Sequence, residues 1–213
     1  MGILENGILG GVRNKVGPAI GKKFRGMDLV VGPYRESNKP EKPGEIRQQN
    51  KFGMLNYFLD YVREVVDVGF KQYARKHTAV NAAHSHNFAH AFIEEGDELK
   101  LNFPKLALSR GNVAIPNCPS VALTAANMLT FSWLPEAENQ NTRRNDRASF
   151  VVWQVIENKP LVLVNTVVRS DLQFSLEIKG DLQGETLHCY MNFTNDSGKL
   201  VGNSIYVGAV EIV

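Results

Sequence analysis

Three histidines and a glutamate carry the most pointed chemistry in the chain. His86, His90 and Glu94 are spaced i, i+4, i+8, which on a helix sets two imidazoles and a carboxylate on one stripe, with His84 just upstream. A stripe of that kind can hold zinc or copper. The plainer reading is a polar helix face with His84 turned toward the core. There is no His-Glu-x-x-His pattern, and no second cluster supplies further ligands. No metal and no other cofactor is therefore expected.

Cations form the second group. Lys22-Lys23-Phe24-Arg25 sets three positive charges beside an aromatic ring, with Arg13 and Lys15 close by. Such a run suits contact with nucleic-acid phosphates or with a neighbouring subunit, the bland alternative being a solvated surface. No Gly-Lys-Ser/Thr follows the glycines of this region, and no G-x-G-x-x-G stands between strand and helix, so a nucleotide cradle is not expected. Arg143, Arg144 and Arg147, with Asp146, occupy the long polar stretch 136–147, a candidate partner loop that also reads as a solubilising one.

The remaining candidates point away from catalysis. Ser109 and Ser120 lack a G-x-S-x-G setting, and the acid pairs Glu94-Glu95 and Glu136/Glu138 lie in polar surroundings. Trp133 and Trp153 fall within strand patterns and read as core or wall rather than as a sugar-stacking platform. Cys118 and Cys189 have no zinc spacing; two buried free thiols are expected, with a disulfide the alternative in an oxidising compartment. The chain is not expected to be an enzyme.

The elements that must position these residues divide the 213 residues into three. Residues 1–35 form a basic Gly-rich β arm. Glycines at 7, 10, 11, 17, 21, 26 and 32 separate short apolar pieces, which suits two or three short strands or an extended arm. Arg13, Lys15, Lys22, Lys23, Arg25 and Arg35 oppose only Glu5 and Asp28, so this arm holds a net +4 in a chain whose formal charge is +2. With few large side chains it needs a neighbour or the rest of the chain to order it. Residues 36–118 form a helical region with a strand. The connector through Lys39-Pro40 and Lys42-Pro43 leads into a helix whose stripe is Phe52, Leu55, Leu59, Val62, Val66, Phe70 and Tyr73. A second helix is predicted from the Thr78 cap to about Glu95, closed by Gly96, followed by a strand through Leu99 and Leu101. Residues 119–213 form an antiparallel seven-stranded β-sandwich, with strands near 121–124, 128–134, 148–156, 161–169, 172–178, 186–194 and 203–212. Leu172 to Ile178 alternates apolar and polar throughout. The fold class is α+β.

Trp133, the Leu182 to Thr186 turn before a long strand, and Asn195-Asp196-Ser197-Gly198 before a last strand holding Ser204 resemble a fibronectin type III or related immunoglobulin-like module over about residues 119–213. In the long strand His188 and Tyr190 compete with Leu187, Cys189, Met191 and Phe193 for the inward register. Over its full length the chain resembles an uncharacterised bacterial family of the Bacteroidota, through Asn6 to Gly11, Lys15-Val16-Gly17, Val68-Gly69-Phe70, Leu108-Ser109-Arg110-Gly111 and Asn203 to Gly208. That resemblance implies architecture and no activity.

Two functional classes follow. The first is a non-enzymatic structural subunit that self-assembles, as in a phage or phage-derived virion, shell or filament, with copies of itself as partners and nucleic acid as a further contact of the arm. The second is a binding module that takes a glycan, peptide or surface partner through its loops. No signal peptide and no membrane span are expected, and synthesis in the cytoplasm is the expected origin, with residence in a virion or assembled particle.

Overall fold

The computed structural model describes residues 3–4, 10–24, 26–34, 40–75, 77–96, 98–125, 127–178 and 184–212. The chain forms two compact units, Met1–Lys42 and Pro43–Val213. Arg25, Arg35, residues 36–39 of the connector, and Leu182 and Gln183 of the 182–186 turn lie outside the described residues.

The first unit is a four-stranded antiparallel meander in the order β1 (Ile3–Leu4), β2 (Val12–Val16), β3 (Ala19–Phe24), β4 (Met27–Val31). Gly17 takes a positive φ of 56° in the two-residue turn between Val16 and Ala19, the backbone that tight hairpins favour. Gly21 sits where strands crowd, because a Cβ there would run into the carbonyl of Val12. It is also the one buried residue over residues 10–24, 26–34 and 40–42.

The second unit opens with α1 (Pro43–Tyr61) and α2 (Arg63–Gly69). They are separated at Val62, where the backbone departs from helical values at φ −98°, ψ 21° while the Val62 N–H still reaches Phe58 O. Leu55, Leu59, Val62, Val66 and Phe70 of the expected stripe are buried, whereas Phe52 and Tyr73 at its ends are exposed. Helix α3 (Ala79–Asn87) begins at Thr78, whose hydroxyl accepts the N–H of Asn81 as a cap. It ends eight residues before the predicted Glu95. The cause is tertiary: the buried Asn87 amide donates to Ala83 O and Ala107 O and accepts from Ala107 N, tying the chain to a distant strap. The segment expected as helix becomes strand β5 (Phe92–Glu95), paired with β6 (Glu98–Leu101). Gly96, at φ 62°, serves the turn of this hairpin rather than a helix end.

Seven further strands follow: β7 (Asn117–Ala125), β8 (Met128–Leu134), β9 (Arg147–Gln154), β10 (Lys159–Val168), β11 (Gln173–Glu177), β12 (Thr186–Thr194) and β13 (Ile205–Glu211). The fold is α+β with antiparallel pairing, but the strands of the chain are distributed over four sheets rather than joined in one seven-stranded sandwich. Strands β7 to β13 divide into a three-stranded sheet, order β11-β8-β7, and a four-stranded sheet, order β10-β9-β12-β13.

Strands β9 and β12 are buried on both faces. Phe150 and Val152 of β9, with Leu187, Cys189, Met191 and Phe193 of β12, share a core with Leu129, Phe131 and Trp133 of β8. Val151 and Trp153 of β9 and Tyr190 of β12 point the other way, into a core with Leu55, Phe58, Leu59 and Val66 of the helices. The two-residue repeat of a strand thus supplies two cores at once. It also answers the competition of registers in β12, since both registers are used. Cys189 is buried and Cys118 exposed, and both are free thiols, so the expected pair of buried thiols is corrected for Cys118. Burial pushes the Cys189 thiol up to about 12.

Candidate functional site

The cations of the first unit are divided by their strand. Lys22 on β3 pairs in register with Leu29 and shares a face with Ile20 and Phe24, while Lys23 lies opposite Asp28 on the other face. Lys15 on β2 pairs with Ile20, and Lys15, Lys22 and Lys23 are all exposed. Beside them Val16, Phe24, Met27, Val30 and Tyr34 are exposed. The surface is therefore mixed, apolar and cationic, rather than a single run of positive charge. Arg13 belongs to β2, and Arg25 lies outside the described residues.

The arginine loop lies at one end of the second unit's sheets and is built on a buried ion pair. Arg169 follows β10 and is 5 % exposed; its Nε donates to Asp146 Oδ2 at 3.2 Å, its Nη2 donates to Ala114 O at 2.7 Å, and its guanidinium lies 3.8 Å from the centre of the Phe193 ring. Burial lowers the Arg169 pKa, and Asp146 and then Glu136 raise it again. Asp146 Oδ2 also accepts the N–H of Arg143. Above this base, Arg144 donates to Glu138 through backbone and side chain, which holds the Glu138 carboxyl below its usual range, and Arg147 reaches Asp196 at 3.8 Å. Arg143, Arg144, Asp146, Glu138 and Asp196 line an open depression of about 700 Å³.

The histidine stripe is not assembled. His86 and His90 meet edge to face at 5.6 Å between ring centres, but Glu94 departs on β5, where Lys51 and then Arg47 hold its carboxylate below the usual range. Among the described residues no group of three or more His, Cys, Asp or Glu is placed to hold a metal ion. His84 packs between Phe52 and Phe88.

A cleft that the sequence did not announce lies between α1, the β5–β6 hairpin and the helix-facing side of the four-stranded sheet. Its volume is about 580 Å³, and its walls include Met54, Tyr57, Phe58, Leu101, Phe103 and Trp153. Phe58 lies 4.7 Å from Trp153, and His188 stacks on Phe103 at 3.9 Å. His188 shares a 2.9 Å hydrogen bond between Nδ1 and the Tyr206 hydroxyl, and burial lowers its pKa. Trp153, read in the sequence as core or wall, is buried in the helix-facing core and also lines the cleft. Its neighbours come from segments spread between Met54 and His188, and no short motif joins them.

Residues 11–208 match DUF6266, a family of unknown function. The chain belongs to that family. No functionally curated protein matches it. In this DUF6266 chain three of the segments quoted for the full-length resemblance meet at one junction. Ser204 Oγ accepts from the N–H groups of Leu108 and Ser109, and Ser109 Oγ donates to Gly202 O. Arg110 N–H reaches Gly69 O, and Gly111 N–H reaches Asn203 Oδ1. A Cβ on Gly111 would meet Val201 O, and one on Gly69 would meet Leu108 O and Ser109. Every polar atom named there is engaged with the fold, so the Ser109 setting is a clasp between α2, the 106–111 strap and the start of β13.

Proposed function

We propose that this DUF6266 chain is a non-enzymatic structural subunit that self-assembles through its N-terminal β unit, as in a virion, shell or filament. The observation that carries this reading is the composition of that unit's surface. Gly21 alone is buried over residues 10–24, 26–34 and 40–42, while Met27, Val30 and Tyr34 are 56 %, 65 % and 86 % exposed, as are Lys15, Lys22 and Lys23. A small meander of this kind gains little by closing on itself, and exposed apolar side chains rimmed by charge suit an interface between subunits. The cations, divided between the two faces of the sheet, give this unit a second outlet, toward packaged nucleic acid. In the second unit, the strand orders β11-β8-β7 and β10-β9-β12-β13 support a fibronectin type III-like module, a fold common in adhesive and assembly proteins but indifferent to function by itself. Among the described residues no helix is long and apolar enough to cross a membrane.

Size-exclusion chromatography with light scattering, run on the full chain over rising concentration, tests the proposal. Oligomers that disperse in a Met27→Glu/Val30→Glu variant are the expected result. A strict monomer at every concentration, with no ordered particles by electron microscopy, overturns it.

A second reading, a binding module working through the arginine loop, is favoured by one observation. Arg143 lines the open depression and makes no ion pair among the described residues, in contrast to Arg144 and Arg147. Loss of glycan or peptide capture in Arg143→Ala, with capture intact in the Met27→Glu/Val30→Glu variant, is its expected signature.

A further inference from the structure

We propose that the cleft beneath α1 is a binding site for a small, planar, largely apolar aromatic molecule that carries one carbonyl-type hydrogen-bond acceptor. The inference is independent of the assembly reading and rests on what lines the cleft.

Size and walls come first. About 580 Å³ is the scale of a small-molecule site, and such sites are mostly apolar with a few directed polar groups. Here the walls are rings: Tyr57, Phe58, Phe103, Trp153 and His188, joined by Met54 and Leu101. Ring faces favour offset or edge contact with another ring.

The polar groups come next. Trp153 is 2 % exposed, yet its indole N–H donates to no protein atom among the described residues. Neither is that nitrogen among the buried polar atoms sealed away without a partner, so its access is from the cleft it lines. An N–H that a bound molecule shuts off from water must be given an acceptor, and Trp N–H groups ordinarily find one. His188 uses Nδ1 toward Tyr206 and leaves Nε2 without a protein partner among the described residues. Burial lowers its pKa, so the ring is neutral near pH 7.

These groups select among ligands. A saturated acyl chain or an aliphatic side chain would leave the Trp153 donor unanswered. A sugar would bury many hydroxyls against few partners. A cation would meet no carboxylate in the lining, and the ammonium of Lys100 stands among the lining residues, already paired with Glu95 and Glu98. A flat ring with one acceptor satisfies the walls and the donor together.

The test uses two probes on the full chain: 6-propionyl-2-dimethylaminonaphthalene, a neutral solvent-sensitive fluorophore with one carbonyl, and its 6-propyl analogue, which lacks the carbonyl. The expected result is one saturable site with blue-shifted emission. Trp153→Phe should weaken the carbonyl probe about three- to tenfold and leave the analogue's affinity unchanged. Met54→Trp, which fills the cleft, and Val155→Glu, at a lining residue that is 40 % exposed, should each abolish binding while circular dichroism and the unfolding temperature report an intact fold. Absence of saturable binding to the unaltered chain overturns the proposal. So does binding indifferent to Met54→Trp and Val155→Glu, or an equal loss of both probes in Trp153→Phe. Conversion of an oligomer to a monomer by Met54→Trp, without probe binding to the unaltered chain, would assign the cleft to a second copy and also overturn it.

Discussion

The two tryptophans of this protein are buried almost equally, at 3 % for Trp133 and 2 % for Trp153, yet they sit in regions of opposite character. Trp133 belongs to the core between the three-stranded and four-stranded sheets of the second unit, and its indole N–H donates at 2.8 Å to the backbone carbonyl of Arg169. That residue in turn is fixed by Asp146, Ala114 and the Phe193 ring. Trp153 belongs to the core between sheet and helices, where its ring packs on Phe58 but its N–H has no acceptor among the described residues. A closed network holds one; an open cleft borders the other. The contrast separates residues spent on the fold from residues left able to meet something else. Burial alone does not make that distinction, whereas hydrogen-bond satisfaction does.

The largest way to break the comparison is to open the closed side. Arg169→Met leaves the Asp146 carboxylate buried without its cation, and breaking a buried pair in this manner costs about 3–5 kcal/mol. Urea unfolding should show that loss. Asp146→Leu added to Arg169→Met should cost less than the two changes taken separately, since two apolar groups leave no stranded charge. Next in size is the clasp. Gly111→Ala drives a Cβ against the carbonyl of Val201 and should cost about 1–3 kcal/mol by unfolding, the range for overpacking a site that cannot relax freely.

A smaller effect sharpens the contrast directly. Trp133→Phe and Trp153→Phe remove similar ring area, but only the first deletes a buried hydrogen bond and leaves the Arg169 carbonyl without that donor. Trp133→Phe should therefore be the more destabilising by about 1 kcal/mol in parallel urea titrations. Equal losses would mean that the Trp153 N–H is satisfied by some other route.

Much of the sheet region was legible because a strand announces itself locally. Met128–Leu134 and Thr186–Thr194 fall where alternation and β-branched or aromatic content place them, as does the core of the 172–178 strand. The second helix misled because its signals were genuine but assigned to the wrong element. Phe88 and Phe92 keep helical spacing, and Gly96 resembles a helix end, yet Asn87 ends the helix through bonds to Ala107 and Gly96 turns a hairpin. Only the tertiary partner decides that. The same loss of locality explains the sites. The contiguous run Lys22-Lys23-Phe24 is split across two faces by its strand. The cleft, conversely, gathers Met54, Phe103, Trp153 and His188 from segments whose proximity no spacing encodes. Arg169 gave no signal at all, since nothing near it in sequence contains Asp146 or Phe193.

The smallest expected effect lies in pH. His188, His84 and His86 all have pKa values lowered below 6.5, chiefly by burial, so each is neutral in the folded protein at a pH where the unfolded chain has begun to bind a proton. The unfolded state then holds more protons than the native one, and stability must fall as pH falls. Their contribution is fully present above about pH 6.5 and declines from there down to each lowered folded value, below which that group adds no further slope. The carboxylates of Glu94, Glu138 and Glu157 are lowered too, but from 4.5, so their losses begin in more acidic solution than those of the histidines. Urea midpoints measured at about pH 7.5 and about pH 5 should differ in the unaltered chain, with the lower stability at the acidic value. His188→Gln, which keeps a polar group for Tyr206 but cannot take up a proton, should reduce that difference without abolishing it, because His84 and His86 remain. A midpoint difference unchanged by His188→Gln would mean that the ring beside the cleft carries its proton as easily folded as unfolded, and would remove the neutral imidazole from the region that contrasts with Trp133.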